Sequence, residues 1–152
     1  MPDLLIRDVQ SSDRDEWARL YAGYREFYRL APDSAIVDTV WTWIATGEHT
    51  MRGLVAVDAR GAVVALANLH TVARPSMGMT ALYLDDLFTA PAARGRGAGA
   101  ALLARAAELA ADGGHALVRW ITASDNATAR RLYDQHATAT SWVTYDMPPV
   151  RR

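Results

Sequence analysis

The chain has 152 residues, and we expect one globular domain spanning 1–152. Hydrophobic residues at 51 % with 22 % charged residues exclude a disordered chain, and a formal net charge of -1 gives no broad attraction to nucleic acid or anionic lipid. There is no cysteine and every basic side chain other than histidine is an arginine, which excludes disulfides, thiolate metal sites, cysteine acyl-enzymes and lysine Schiff bases.

Leu4 to Val9 reads as a first strand. Ser11, Ser12 and Asp13 then offer N-cap oxygens to a helix carrying Trp17, Leu20, Tyr21, Tyr24, Phe27 and Tyr28 at helical spacing. A second helix is predicted from near Asp33 to Thr46, ended by Gly47. Leu54 to Val57, a turn around Ala59-Arg60-Gly61, and Val63 to Leu69 form a hairpin, and a further strand spans Thr80 to Phe88, or to Thr89. A glycine-rich turn leads into a helix over Ala98 to Ala110, closed by Gly113-Gly114. Ala116 to Thr122 is the next strand, Asp125 or Asn126 caps a helix through Tyr133, and Trp142 to Met147 is predicted as a terminal strand. The hairpin must be antiparallel and the strand-helix-strand unit from Leu82 to Ile121 parallel. The expected class is therefore α/β (α+β): a mixed, mostly antiparallel twisted sheet with about four helices. No apolar run reaches the ~18–20 residues of a membrane span, and acidic Asp3 and Asp8 interrupt any leader-like stretch, so a cytoplasmic protein without membrane contact is expected.

In Arg94-Gly95-Arg96-Gly97-Ala98-Gly99 the small residues allow close backbone approach, and the N–H groups opening the next helix point outward with its positive dipole end. This is a phosphate cradle or, on the plainer reading, a turn that only permits close packing. It lacks the Lys-Ser/Thr of a nucleoside-triphosphate loop and the spacing of a dinucleotide fingerprint.

Arg94-x-x-Gly97-x-Gly99 after a strand resembles the acetyl-CoA signature of the GCN5-related N-acetyltransferase (GNAT) superfamily, in a small bacterial-type form. Asn126-Ala127-Thr128-Ala129-Arg130-Arg131-Leu132-Tyr133 resembles its second signature, N-x-x-A-x-x-L-Y, on the expected helix. The resemblance covers roughly Thr80 to Tyr145. It implies that the strands Leu82 to Thr89 and Ala116 to Thr122 splay apart around acetyl-CoA, the cosubstrate. By resemblance, Leu87, Phe88 and Thr89 line its pantetheine arm and Gly95, Arg96, Gly97, Ala98, Gly99 and Ala100 hold the diphosphate. Arg94 and Arg96 add charge there or stay solvated. Asn126, with Ala129 on the same helix, bonds the arm or caps the helix.

Direct transfer from a thioester to an amine needs an unprotonated nucleophile, a polarised carbonyl and a proton for the departing thiolate. Tyr133 matches the family tyrosine that protonates the sulfur. A backbone N–H near Leu87 polarises the carbonyl by resemblance. Asp85-Asp86 resembles the acidic pair of members that acetylate polyamines and related amines. Consecutive strand residues face opposite sides unless a bulge intervenes. We assign Asp85 as the general base and Asp86 as the binder of the acceptor's cationic nitrogen, with the reverse kept open. Deprotonating an alkylammonium of pKa ~10.4 at pH 7 costs roughly 4–5 kcal/mol, which gives an acidic pocket its value.

Tyr28 and Trp41 are assigned to the acceptor pocket, among aromatics that could equally be core. His49, His70, His115 and His136 show no metal-ligand spacing, and no metal is expected; His70 is the histidine to watch. The usual Gly-Phe after the tyrosine helix is replaced by Gln135-His136-Ala137-Thr138-Ala139-Thr140, which puts one strand in doubt and leaves a sheet edge that a homodimer would cover. The expected function is acetyl transfer to a primary amine of a small cationic acceptor: polyamine-like, aminoglycoside-like or lysine-type. The alternatives are a non-catalytic coenzyme A-binding regulatory module and a protein or aminoacyl-tRNA N-acetyltransferase.

Overall fold

Strand alternation organises the centre of the molecule. In the computed structural model, which describes residues 3–152, neighbours such as Leu54 and Val55 are both fully buried yet enter different cores, because successive strand residues face opposite sides. The strands are β1 (Leu5–Asp8), β2 (Arg52–Val57), β3 (Val63–Arg74), β4 (Met79–Thr89) and β5 (Val118–Arg119), in the spatial order β1-β2-β3-β4-β5. The first three pairings are antiparallel and β4–β5 is parallel, as the sequence predicts.

Among the described residues there are four α-helices: α1 (Arg14–Phe27), α2 (Ser34–Thr46), α3 (Ala98–Asp112) and α4 (Ala127–Asp134). The apolar faces of α1 and α2 bury Trp17, Leu20, Tyr21, Val40 and Trp41 on Val55, Leu66 and Phe88 of the sheet. On the other face Leu102, Leu103 and Ala106 of α3 pack on Leu54, Ala67, Leu69 and Leu84. Asp33 caps α2 by accepting from the N–H groups of Ala35 and Ile36, and Gly47 ends it at φ 72°, where an L side chain would be strained.

Several expectations change in detail. Asp13 does not cap α1: its carboxylate accepts from the Gln10 N–H at 2.7 Å and from both terminal nitrogens of Arg7 at 2.7 and 2.9 Å, tying β1 to the helix. The hairpin strands are longer than the apolar pattern marks, with β3 running on to Arg74. Conversely, β5 shrinks from the predicted Ala116–Thr122 to two residues, since only Leu82↔Val118 and Tyr83↔Arg119 pair before the strands part. That parting is the expected splay. The predicted strand Trp142–Met147 does not form: residues 138–152 adopt no regular structure, with Trp142 82 % and Tyr145 91 % exposed. Between Tyr133 and Trp142 there is no glycine or proline to reverse the chain tightly, and the segment does not return to the open side of β5.

Candidate functional site

The pairing of β3 with β4 slips by one residue where the two acidic side chains lie. Leu69 faces Leu84 and Asn68 faces Asp86, so Asp85 is the extra residue of a β-bulge. Its consequence is that neighbouring carboxylates share a face. Asn68 and His70, two apart on β3, point the same way; the Asn68 amide donates to Asp86 Oδ2 at 2.9 Å, and His70 Nδ1 lies 2.5 Å from Asp85 Oδ2. Both acids thus face the α1 side.

Their surroundings differ. Asp86 is buried, 9 % exposed, and burial pushes its carboxyl above the usual range despite hydrogen bonds from Asn68 and from the Tyr24 and Tyr21 hydroxyls turned toward it. Asp85 keeps a side chain 29 % exposed; burial raises its carboxyl, the bond to His70 opposes this, and the charge of Asp86 adds to the rise. Tyr21 and Tyr24 hold their phenolic protons firmly because burial and the Asp86 carboxylate both disfavour the phenolate. Tyr28, at the end of α1, is half exposed and is raised by burial and by Asp86.

Opposite these groups stands α4. Asn126 caps it by accepting from the Ala129 N–H at 3.3 Å. Tyr133 sits edge-on to Trp120 with ring centroids 5.3 Å apart, and burial, with the nearby Tyr28, raises its phenol. A β-carbon on Gly99 would lie 3.0 Å from Leu132, so this glycine lets α4 pack on the first turn of α3 and brings the two signature segments together.

The glycine turn takes the backbone form its composition demands. Gly95 and Gly97 have φ of 80° and 83°, and Gly97 starts α3 without a side-chain cap. The Ala101 N–H is the one that closes on Gly97, so the amides of Ala98, Gly99 and Ala100 open the helix as donors. The Arg94 guanidinium rests 5.6 Å from the Phe27 and Phe88 ring centroids and its Nε donates to the Thr89 carbonyl at 3.3 Å, bracing the turn against β4. Arg96 is exposed. Beyond Tyr83, β4 runs to Thr89 with no β5 partner, leaving Leu87, Phe88 and Thr89 along an open strand side that leads to this turn. Outward amides for a diphosphate and an unladdered strand for an amide-bearing arm match the chemistry of acetyl-CoA.

One sequence assignment falls outside this grouping, and one residue that the sequence pattern left unassigned extends it. Trp41 is 8 % exposed and packs on Trp17 at 5.3 Å, so its ring belongs to the core under the helix pair. Asn68 was not singled out from the sequence, although an amide inside the apolar run Val63–Leu69 is the signal that marks it. Among the described residues no group of three or more histidine or acidic side chains is placed to hold a metal ion.

Residues 15–137 match the model of the acetyltransferase (GNAT) family. The chain is 33 % identical over 132 residues to a Bacillus subtilis (strain 168) protein named uncharacterized N-acetyltransferase YhfO, covering 86 % of this chain and 87 % of that one. The fold is similar to a crystal structure of a probable acetyltransferase, with a TM-score of 0.84 and 20 % identity over 97 % of this chain and 99 % of that one. It is also similar to that of a ribosomal-protein-alanine N-acetyltransferase from Brucella melitensis biovar Abortus 2308, with a TM-score of 0.80 and 22 % identity over 97 % of this chain and 100 % of that one.

Proposed function

Because the chain belongs to the GNAT acetyltransferase family, we propose that it transfers acetyl groups from acetyl-CoA directly to a primary amine of a small cationic acceptor, in the cytoplasm. The observation that carries the acceptor class is the bulge at Asp85, which sets two differently housed carboxylates on one face beside the open half of β4. Bound acetyl-CoA would supply an activated acetyl thioester whose sulfur needs a proton on leaving. The backbone amides from Gly95 to Ala100 would hold its diphosphate, with Leu87, Phe88 and Thr89 along its arm and Asn126 and Ala129 at the facing helix.

Asp86 is the fixed charge. Surrounded by Asn68, Tyr21 and Tyr24, it attracts an ammonium group toward Tyr28 and the aromatic end of α1. Asp85 is the proton acceptor, since it is the more accessible of the two and its raised carboxyl brings it nearer the range where a base can receive and release a proton. Tyr133 retains its hydroxyl proton through the neutral range and supplies it to the leaving thiolate. The Leu87 N–H polarises the carbonyl. With no cysteine or lysine in the chain, neither can carry the acetyl group in transit.

The test is thiol release from acetyl-CoA against polyamines, aminoglycosides, amino acids and lysine peptides. Release with a polycationic amine is expected. Asp85→Asn should lower kcat/KM by about 10²–10³-fold and leave acetyl-CoA affinity unchanged. It should also remove an acid limb that lies above the ordinary carboxylate range, because a protonated Asp85 cannot accept the amine's proton. Acetyl-CoA binding without thiol release from any amine would instead support a coenzyme-binding module.

A further inference from the structure

One face of the sheet carries a cation beside the two acids. Leu69 on β3, Leu82 and Leu84 on β4, and Val118 and Trp120 on β5 all pack into or against the core on the α3 side. Alternation therefore turns His70, Tyr83 and Arg119 to the opposite face, where Asp85 and Asp86 lie. These three form a row across the strands: His70 pairs with Tyr83 and Tyr83 with Arg119, and the His70 and Tyr83 rings are 5.6 Å apart. Asp85 adjoins the row, bonded to His70 and two residues beyond Tyr83, where β4 and β5 begin to part. The Tyr83 phenol feels both charges: burial and the Asp85 carboxylate hold its proton more tightly, and Arg119 loosens it.

Arg119 has no acid of its own chain to neutralise it. Among the described residues the ion pairs of arginine lie elsewhere, at Arg7, Arg14, Arg52 and Arg105. Of the arginines nearer the site, Arg25 donates to the Ala31 carbonyl at 3.0 Å and Arg94 to the Thr89 carbonyl at 3.3 Å. Arg119 is half-buried and stands on a strand rather than a loop. Its guanidinium is a planar fork that suits a carboxylate. In a pocket for polycations alone such a group is a handicap, because it repels an incoming ammonium.

We propose that the acceptor is a free basic α-amino acid, whose carboxylate Arg119 binds and whose α-amine is the nitrogen acetylated. This rests on the acetyl-transfer reading above and narrows its acceptor. Two ammonium groups and one carboxylate on the substrate meet two carboxylates and one guanidinium on the protein. The order along the sheet sets the order along the substrate: carboxylate at Arg119, α-nitrogen at Asp85, and side-chain ammonium at Asp86 beside Tyr21 and Tyr24. The α-ammonium loses two protons in all, one to Asp85 before attack and one as the tetrahedral adduct collapses. The N–C bond forms, the C–S bond breaks with its electron pair on sulfur, Tyr133 protonates that sulfur, and one proton passes net to solvent.

Lysine and cadaverine separate this acceptor from a plain polyamine, since cadaverine is lysine without its carboxylate. Thiol release from acetyl-CoA should favour lysine in kcat/KM, and that preference should fall about 10–100-fold in Arg119→Gln, the range of a charge-assisted hydrogen bond. Taking the ratio in both proteins cancels the difference in basicity between the two amines. Arg119→Lys keeps the charge without the fork and should recover part of the preference. Circular dichroism checks that the variants fold, and the comparison of the two substrates on the unaltered protein does not depend on them. Mass spectrometry of the product should place the acetyl group on the α-nitrogen. Cadaverine turned over as well as lysine, a lysine preference that survives Arg119→Gln, or acetylation of the side-chain nitrogen would overturn this inference and leave the acetyl-transfer reading standing. Thiol release with no amine at all would overturn that reading, and this inference with it.

Discussion

Residues 5–110 and residues 111–152 are built to different standards. Up to Ala110 every strand and helix places side chains in one of two cores, and Leu54, Val55, Leu66 and Leu102 are fully enclosed. From Ala111 onward no described residue is buried, although this part holds β5, Asn126 and Tyr133. The first region is a self-sufficient scaffold that fixes Asp85 and Asp86 through β3 and α1. The second is a wall leaning on α3 through Leu132. The buried charge lies in the first part, and the proposed proton donor in the second.

The same residue type on either side of the boundary breaks this contrast most sharply. Trp17 is fully buried and stacks on Tyr21 at 5.0 Å, so Trp17→Ala should cost about 3–5 kcal/mol of unfolding free energy. Trp142 is 82 % exposed, and Trp142→Ala should change the stability by no more than about 0.5 kcal/mol. Urea titration at low protein concentration compares them directly. Equal costs would mean that the tail packs on its own chain.

A smaller effect falls on the open wall. Tyr133→Phe keeps the ring against Trp120 and removes only the hydroxyl, so folding and acetyl-CoA affinity should be retained while kcat drops about 10²-fold, a loss of roughly 2.7 kcal/mol in transition-state stabilisation. Single-turnover thiol release checks it, and an unchanged rate would remove Tyr133 as the acid.

The pattern of what was readable from the sequence follows the same division. Amphipathic spacing around Trp17 and Val40, the Gly47 stop, and the hairpin turn at Gly61 are local signals, and the elements they mark all form. The two signature segments place α3 and α4 in order. What local pattern cannot supply is pairing partners. The bulge at Asp85 depends on Asn68 and His70 lying across a strand, and the apolar alternation of Trp142–Met147 reads as a strand whether or not an edge is within reach. Trp41 shows the converse, since an aromatic on a helix face looks alike from sequence whether it lines a pocket or stacks beneath it on Trp17.

The gentlest probe concerns what the scaffold gives up to hold its buried acid. The Asp86 carboxyl is raised in the folded protein by burial, so its contribution favours folding below the unfolded pKa and is lost as pH rises through the folded one. At pH 8 the enclosed carboxylate therefore opposes folding. Asp86→Asn removes that charge and offers an amide donor to Asn68 Oδ1, which is buried without a partner. The variant should melt roughly 2–4 °C higher at pH 8, with the advantage shrinking toward pH 4, while acetylation of cationic amines falls. Asp13 runs the other way, held low by Arg7, but it is common to both proteins and cancels in the difference. A melting difference that does not vary with pH would show that Asp86 carries no buried charge, and the ammonium would then have to be held by Asp85 alone.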